Sequence, residues 1–151
     1  MEIKFILDVH LGRLAKYLRL CGFDTLFSAL YDDREIVDIA LREARVIVTR
    51  DRLLIKGARE AKGYLVKSQY HDEQLREVFE ELKLRDRVKL FSRCIACNSL
   101  LEDVRKEEIA DRLLADTRKY FSVFRRCPSC DRIYWEGSNY DNMKKSIETL
   151  L

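Results

Sequence analysis

The chain has 151 residues, 47% apolar and 36% charged, with 29 Lys and Arg against 26 Asp and Glu for a net charge of +3. That length holds one domain, or one domain with a small appendage, and so slight a charge does not by itself argue for a nucleic-acid partner. No apolar run approaches the ~18 residues of a membrane span, and Met1-Glu2-Ile3-Lys4 lacks the charged-then-apolar pattern of a signal peptide, so a soluble, cytoplasmic protein without a membrane partner is expected.

Ile3–Leu7 is the first expected strand. Leu11, Leu14, Ala15 and Leu18 then recur at helical spacing, and Gly22 stops that helix. Phe23–Phe27 is a second strand. A helix follows from about Asp33 to Glu43 with Ile36, Ile39 and Ala40 turned inward. Val46–Thr49 is a third strand, Arg52 to Ala61 a helix closed by Gly63, and Tyr64–Val66 a fourth strand. Asp72 is a candidate cap for the next helix, whose stripe is Leu75, Val78, Phe79 and Leu82. Strand–helix repeated four times argues for an α/β fold, a parallel sheet with helices on both faces. From about Lys83 the character changes. Leu84–Val88 is a charged connection and Val88–Phe91 a possible extra strand, which places a domain boundary near 86–92, with domains over 1–88 and 89–151.

The second part carries Cys94-Ile-Ala-Cys97 and Cys127-Pro-Ser-Cys130, with 29 residues between the pairs. Each pair makes a tight turn that aims two thiolates at one ion, and two turns complete a tetrahedron, which suits zinc. Four thiolates leave no open position, so that metal is structural. Asn98 and Asp131 follow the second cysteines, where a left-handed backbone is often needed, and both types tolerate one. The fifth cysteine, Cys21, is expected in the core. Residues 118–135 interleave Arg118, Lys119, Arg125, Arg126 and Arg132 with Tyr120, Phe121, Phe124, Tyr134 and Trp135. Such a stretch either tracks phosphates and stacks on bases of single-stranded RNA or simply supplies a small domain with its own core.

Two strands end in aspartate: Lys4–Leu7 runs into Asp8, and Val46–Thr49 into Asp51. In a parallel sheet the carboxyl edge is where ligands bind. Asp33, opening the helix after the second strand, lies on the same edge, and Asp38 is about a turn later. Clustered carboxylates repel one another unless a hard divalent ion sits between them, so Mg²⁺ or Mn²⁺ at Asp8, Asp33 and Asp51 is the natural reading. Arg13, Arg50 and Arg52 are then candidates to hold substrate phosphates. The plainer alternative is that Asp8 and Asp51 cap helices and that Asp32 and Asp33 form a turn. No G-x-G-x-x-G, Walker loop or G-x-S-x-G is present, which leaves nucleotide-cofactor binding and serine hydrolysis unsupported. Of the two histidines, His10 is placed to line the cleft beside Asp8, and His71 has no evident role.

The ordered motifs F-I-L-D-V-H-L-G-R-L-A-K-Y-L-R-L-C-G-F-D, D-D-R-E-I-V-D-I-A, V-I-V-T-R-D, S-R-C-I-A-C-N and R-C-P-S-C-D-R-I-Y-W-E-G-S together resemble the Mut-seven C-terminal RNase domain family, over nearly the whole chain. The resemblance implies a PIN-like nuclease domain fused to a zinc ribbon, and a metal-dependent ribonuclease. It maps the catalytic acidic positions onto Asp8, Asp33 and Asp51 and the zinc ligands onto Cys94, Cys97, Cys127 and Cys130. The acidic set is sparser than the four carboxylates of typical PIN domains, and Asp38 or Asp72 is the candidate for the fourth. A non-catalytic RNA- or protein-binding adaptor is the alternative.

Overall fold

The computed structural model describes residues 2–151. Four short strands, β1 (Lys4–Leu7), β2 (Asp24–Phe27), β3 (Val46–Thr49) and β4 (Gly63–Leu65), pair in parallel in the order β2-β1-β3-β4. Because the central strands are covered on both faces, they are continuous apolar runs rather than alternating ones. Phe5, Leu7, Val46 and Val48 point to one face and join the larger core, where α1 (Gly12–Leu20) and α4 (His71–Leu82) pack. Ile6 and Ile47 point to the other face and meet Ile36 and Ala40 of α2 (Asp33–Glu43) and Leu54 of α3 (Arg52–Gly57).

The connections explain this division. From β1 the chain crosses through α1 to one side of the sheet, then from β2 through α2 back past β1 to β3. Parallel crossovers are right-handed, so reversing the direction of travel puts α1 and α2 on opposite faces. The reversal opens a crevice at the carboxyl ends of β1 and β3.

Several local expectations are corrected. The third helix ends at Gly57, not Ala61, and Gly63 begins β4 instead of closing a helix. Asp72 lies inside the first turn of α4, whose N-cap is Tyr70 with no side-chain cap bond. Val88–Phe91 forms no strand: Phe91 has φ 62°, and the segment is spent on packing Val88, Leu90 and Phe91 against the larger core. Gly22 is needed where this segment crosses, since it has φ +92° and a Cβ there would meet Lys89 O at 2.5 Å.

The remaining sheet is small and antiparallel, β5 (Glu102–Val104), β6 (Phe124–Arg126) and β7 (Ile133–Tyr134) in sequence order. Short helices α5 (Lys106–Ile109) and α6 (Ala115–Tyr120) connect β5 to β6, and a core of Val104, Ile109, Leu113 and Phe124 fills the centre. The C-terminal helix α7 (Ser138–Ile147) then leaves this sheet. Tyr140, Ile147 and Leu150 pack into the larger core beside α1 and α4 residues. Among the described residues no helix is long and apolar enough to cross a membrane.

Candidate functional site

Asp8 and Asp51 emerge from neighbouring strands at the crevice, and Thr49 links them. The Thr49 hydroxyl donates to Asp8 Oδ2 while its oxygen accepts from Asp51 N at 2.9 Å. Asp8 Oδ1 also accepts from His10 N at 3.0 Å. Asp8 is 7% exposed, so its carboxylate orientation is set by these partners rather than by solvent. A buried carboxylate needs such donors, and here they come from the chain immediately after β1 and from the last residue of β3. Nothing in the sequence marks Thr49 apart from its place at the strand end; only the pairing of β1 with β3 turns it into a bridge.

Asp51 is exposed and caps α3, its Oδ1 accepting from Leu53 N at 2.8 Å. Asp33 is the exposed first residue of α2. The cap of that helix is Asp32, which forms a reciprocal capping box with Glu35. With Asp38, Asp33 lines a groove of about 310 Å³ between α2 and α3. Arg13, Arg50 and Arg52 are exposed, Arg13 on the first turn of α1 and Arg50 and Arg52 on either side of Asp51. Asp8, Asp33 and Asp51 do not converge as tightly as the cysteines, which among the described residues form a set whose ligand atoms all lie within 4.8 Å of one another.

The cysteine site consists of two equivalent turns. In the first, Cys97 N donates to Cys94 Sγ at 3.4 Å, Asn98 N to Cys94 O at 2.9 Å, and Cys94 N to Ser99 O at 2.8 Å. In the second, Cys130 N, Asp131 N and Cys127 N make the matching bonds at 3.4, 2.9 and 2.9 Å, the last to Arg132 O. Asn98 and Asp131 take φ of 79° and 67°, as their positions require. Sulfurs face one another at 3.6 Å (Cys94–Cys130) and 3.3 Å (Cys97–Cys127). A tetrahedron with metal–sulfur bonds of about 2.3 Å spans roughly 3.8 Å between sulfurs, so the four residues fit a zinc ion. Burial alone would lift the Cys130 thiol, yet hydrogen bonds from Arg132 draw it down to about 6. Cys97 is lowered likewise, with Ser99 outweighing burial, while burial pushes Cys127 up to about 11. The protons of so close a set come off in steps that belong to the set rather than to single residues, each thiolate making the next harder to form, and a cation is what makes four thiolates compatible.

The first turn is also docked on the parallel sheet. Asn98, 8% exposed, accepts from Thr25 N at 2.8 Å and donates to Asp24 Oδ1 at 2.7 Å. Arg19 donates to Ile95 O, Ala96 O and Thr25 O at 3.0–3.2 Å. The open edge of β2 is thereby closed. The sequence marks Asn98 only for its backbone, and Arg19, Asp24 and Thr25 look ordinary until β2 and the turn are adjacent.

Of the expected RNA-contacting residues in the small sheet, Arg125 donates to Phe91 O at 2.6 Å, lies 5.2 Å from the Phe91 ring centre and faces Asp103 across the strands at 3.3 Å. Arg126 faces Glu102 at 3.4 Å. Phe124 and Trp135 pack together in the local core, and Tyr134 Oη lies 3.0 Å from Cys94 Sγ. The structural role therefore takes up most of this stretch and leaves Tyr120 exposed beside Lys119.

Comparison with protein families matches residues 3–147 to one described as the Mut7-C RNAse domain. No curated protein and no solved structure matches the chain.

Proposed function

The chain belongs to the Mut7-C RNAse domain family, and from that premise we propose that it is a metal-dependent ribonuclease acting on single-stranded RNA at the crevice between β1 and β3. The observation that carries this reading is the pair Asp8 and Asp51, at the carboxyl ends of adjacent parallel strands and joined through Thr49. Carboxylate oxygens are the donors Mg²⁺ and Mn²⁺ prefer, so Asp8 and Asp51, with Asp33 from the N-terminus of α2, are the residues that would hold such an ion. Bound there, a hard divalent cation supplies charge stabilisation for phosphodiester hydrolysis.

The chain's own contributions are positional. Thr49 and His10 N fix the Asp8 carboxylate, so it needs little reorganisation to meet a cation or a phosphate-bound partner. Arg13, Arg50 and Arg52 are exposed, which leaves their guanidinium groups free to grip phosphate oxygens of an incoming strand. The cysteine site would hold zinc structurally and keep the small sheet pinned against β2.

The test is Asp8→Asn. It is expected to abolish Mg²⁺- or Mn²⁺-dependent cleavage of single-stranded RNA while leaving the circular dichroism spectrum unchanged. Cleavage at the wild-type rate by this variant defeats the proposal.

One observation favours a second reading, the non-catalytic adaptor: Asp51 is engaged as a helix cap and the three aspartates are not drawn tightly together. An adaptor binds RNA or protein without dependence on divalent ions and cuts nothing.

A further inference from the structure

On the α1 and α4 side of the crevice lies a cavity of about 220 Å³ lined by His10, Arg13, Gln69, Tyr70, His71 and Gln74. It adjoins the candidate centre directly, since His10 also supplies the backbone N–H that holds Asp8. Tyr70 is 57% exposed at its edge. An exposed tyrosine on a mobile loop would mean little, but this loop is fixed from beneath. Glu77 accepts from Lys67 N, Ser68 N and the Tyr64 hydroxyl, each at 2.9 Å. Gln74, buried, donates to Ser68 O at 2.9 Å. Ser68 Oγ accepts from Tyr70 N at 3.0 Å and donates to Glu73. Tyr70 O accepts from Gln74 N at 2.9 Å. His71 is held by stacking on Tyr17, with ring centres 5.1 Å apart. These bonds fix the backbone that carries Tyr70, and its side chain makes none of them, so the ring is offered to solvent from a fixed position.

We propose that this cavity is a nucleotide subsite: an unpaired RNA base stacks on Tyr70 while Arg13 pairs with the adjoining phosphate, which sets the strand's path past Asp8. The chemistry matches single-stranded recognition elsewhere, where a ring takes any base face and a neighbouring guanidinium takes the backbone. The subsite rests on the ribonuclease reading.

The experiment uses the full chain with Asp8→Asn to prevent cutting, and a short single-stranded RNA carrying one 2-aminopurine as probe. Stacking on Tyr70 should quench its fluorescence on binding. Tyr70→Ala is expected to weaken binding about tenfold and to remove the quench, whereas Tyr70→Phe keeps both. Arg13→Ala is expected to weaken binding and to reduce its salt dependence by about one unit of slope. Because the Tyr70 side chain supports none of the loop's bonds, its variants should melt with the parent, which separates lost contact from lost fold. Unchanged affinity and quench in Tyr70→Ala overturn the subsite but leave the ribonuclease reading standing. Failure of the parent to bind the RNA at all overturns both.

Discussion

Asn98 combines two demands that its residue type meets together. Its backbone is left-handed at φ 79°, and its side chain pairs at once with Thr25 N and Asp24 Oδ1. Asn98→Ala should therefore cost about 2–3 kcal/mol, through strain and a buried N–H left without a partner. Asn98→Gly should cost less, because it relieves the strain and loses only the hydrogen bonds; urea midpoints of the two variants measure the division. The sequence exposes the first demand, since the residue after a second cysteine is a recognisable position, but gives no sign of the second. Asp24 offers a pH test of the same contact. Burial pushes its carboxyl up, but hydrogen bonds from Arg45 and Asn98 outweigh that and hold it below its ordinary value. The unfolded chain then takes up this proton first as the pH falls. The stability Asp24 contributes is full above about pH 4 and is lost as the pH drops through the folded value. The difference in unfolding midpoint between wild type and Asp24→Asn should accordingly be largest near neutrality and shrink below about pH 4.

At the scale of elements, the N-terminus of α2 separates two adjacent aspartates by role. Asp32 accepts from Glu35 N at 2.8 Å and Glu35 returns a contact to Asp32 N, whereas Asp33 is exposed on the first turn. Asp32→Ala should cost about 1 kcal/mol of stability and leave cleavage largely intact. Asp33→Asn should leave the melting temperature in place and lower cleavage at least tenfold. Calorimetry and a rate assay on both variants check the assignment, and the reverse pattern removes Asp33 from the proposed centre. The central strands are legible as short apolar runs bounded by polar residues, such as Phe5–Leu7, and the long helices by a periodic apolar face, such as Ile36 and Ala40 on one side of α2. The misread elements lack that signal or share it with something else. Val88, Leu90 and Phe91 have the apolar character of a strand but meet side chains rather than a partner backbone. Asp72 resembles a cap, yet α4 begins at His71, two residues earlier than such a cap allows.

Over the whole molecule, the cysteine-bearing part and the parallel sheet are fastened together. Asn98 and Arg19 tie the first cysteine turn to β2, and Tyr140, Ile147 and Leu150 return to the larger core. Stripping metal with a strong chelator should therefore lower one unfolding transition of the entire chain, seen by calorimetry, rather than melt a small sheet separately; two resolved transitions would contradict this. The sequence by itself determined the alternation of strands and helices, the aspartates ending β1 and β3, and the four-cysteine set, because periodicity and spacing are local properties written in consecutive residues. Only the tertiary structure decided that Thr49 bridges Asp8 to Asp51, that Arg125 and Arg126 are turned to Phe91 and Glu102, and that a cavity beside Asp8 presents Tyr70. Those relations depend on which strands neighbour one another and where separate loops meet, and chain reversals set such distances where residue order does not.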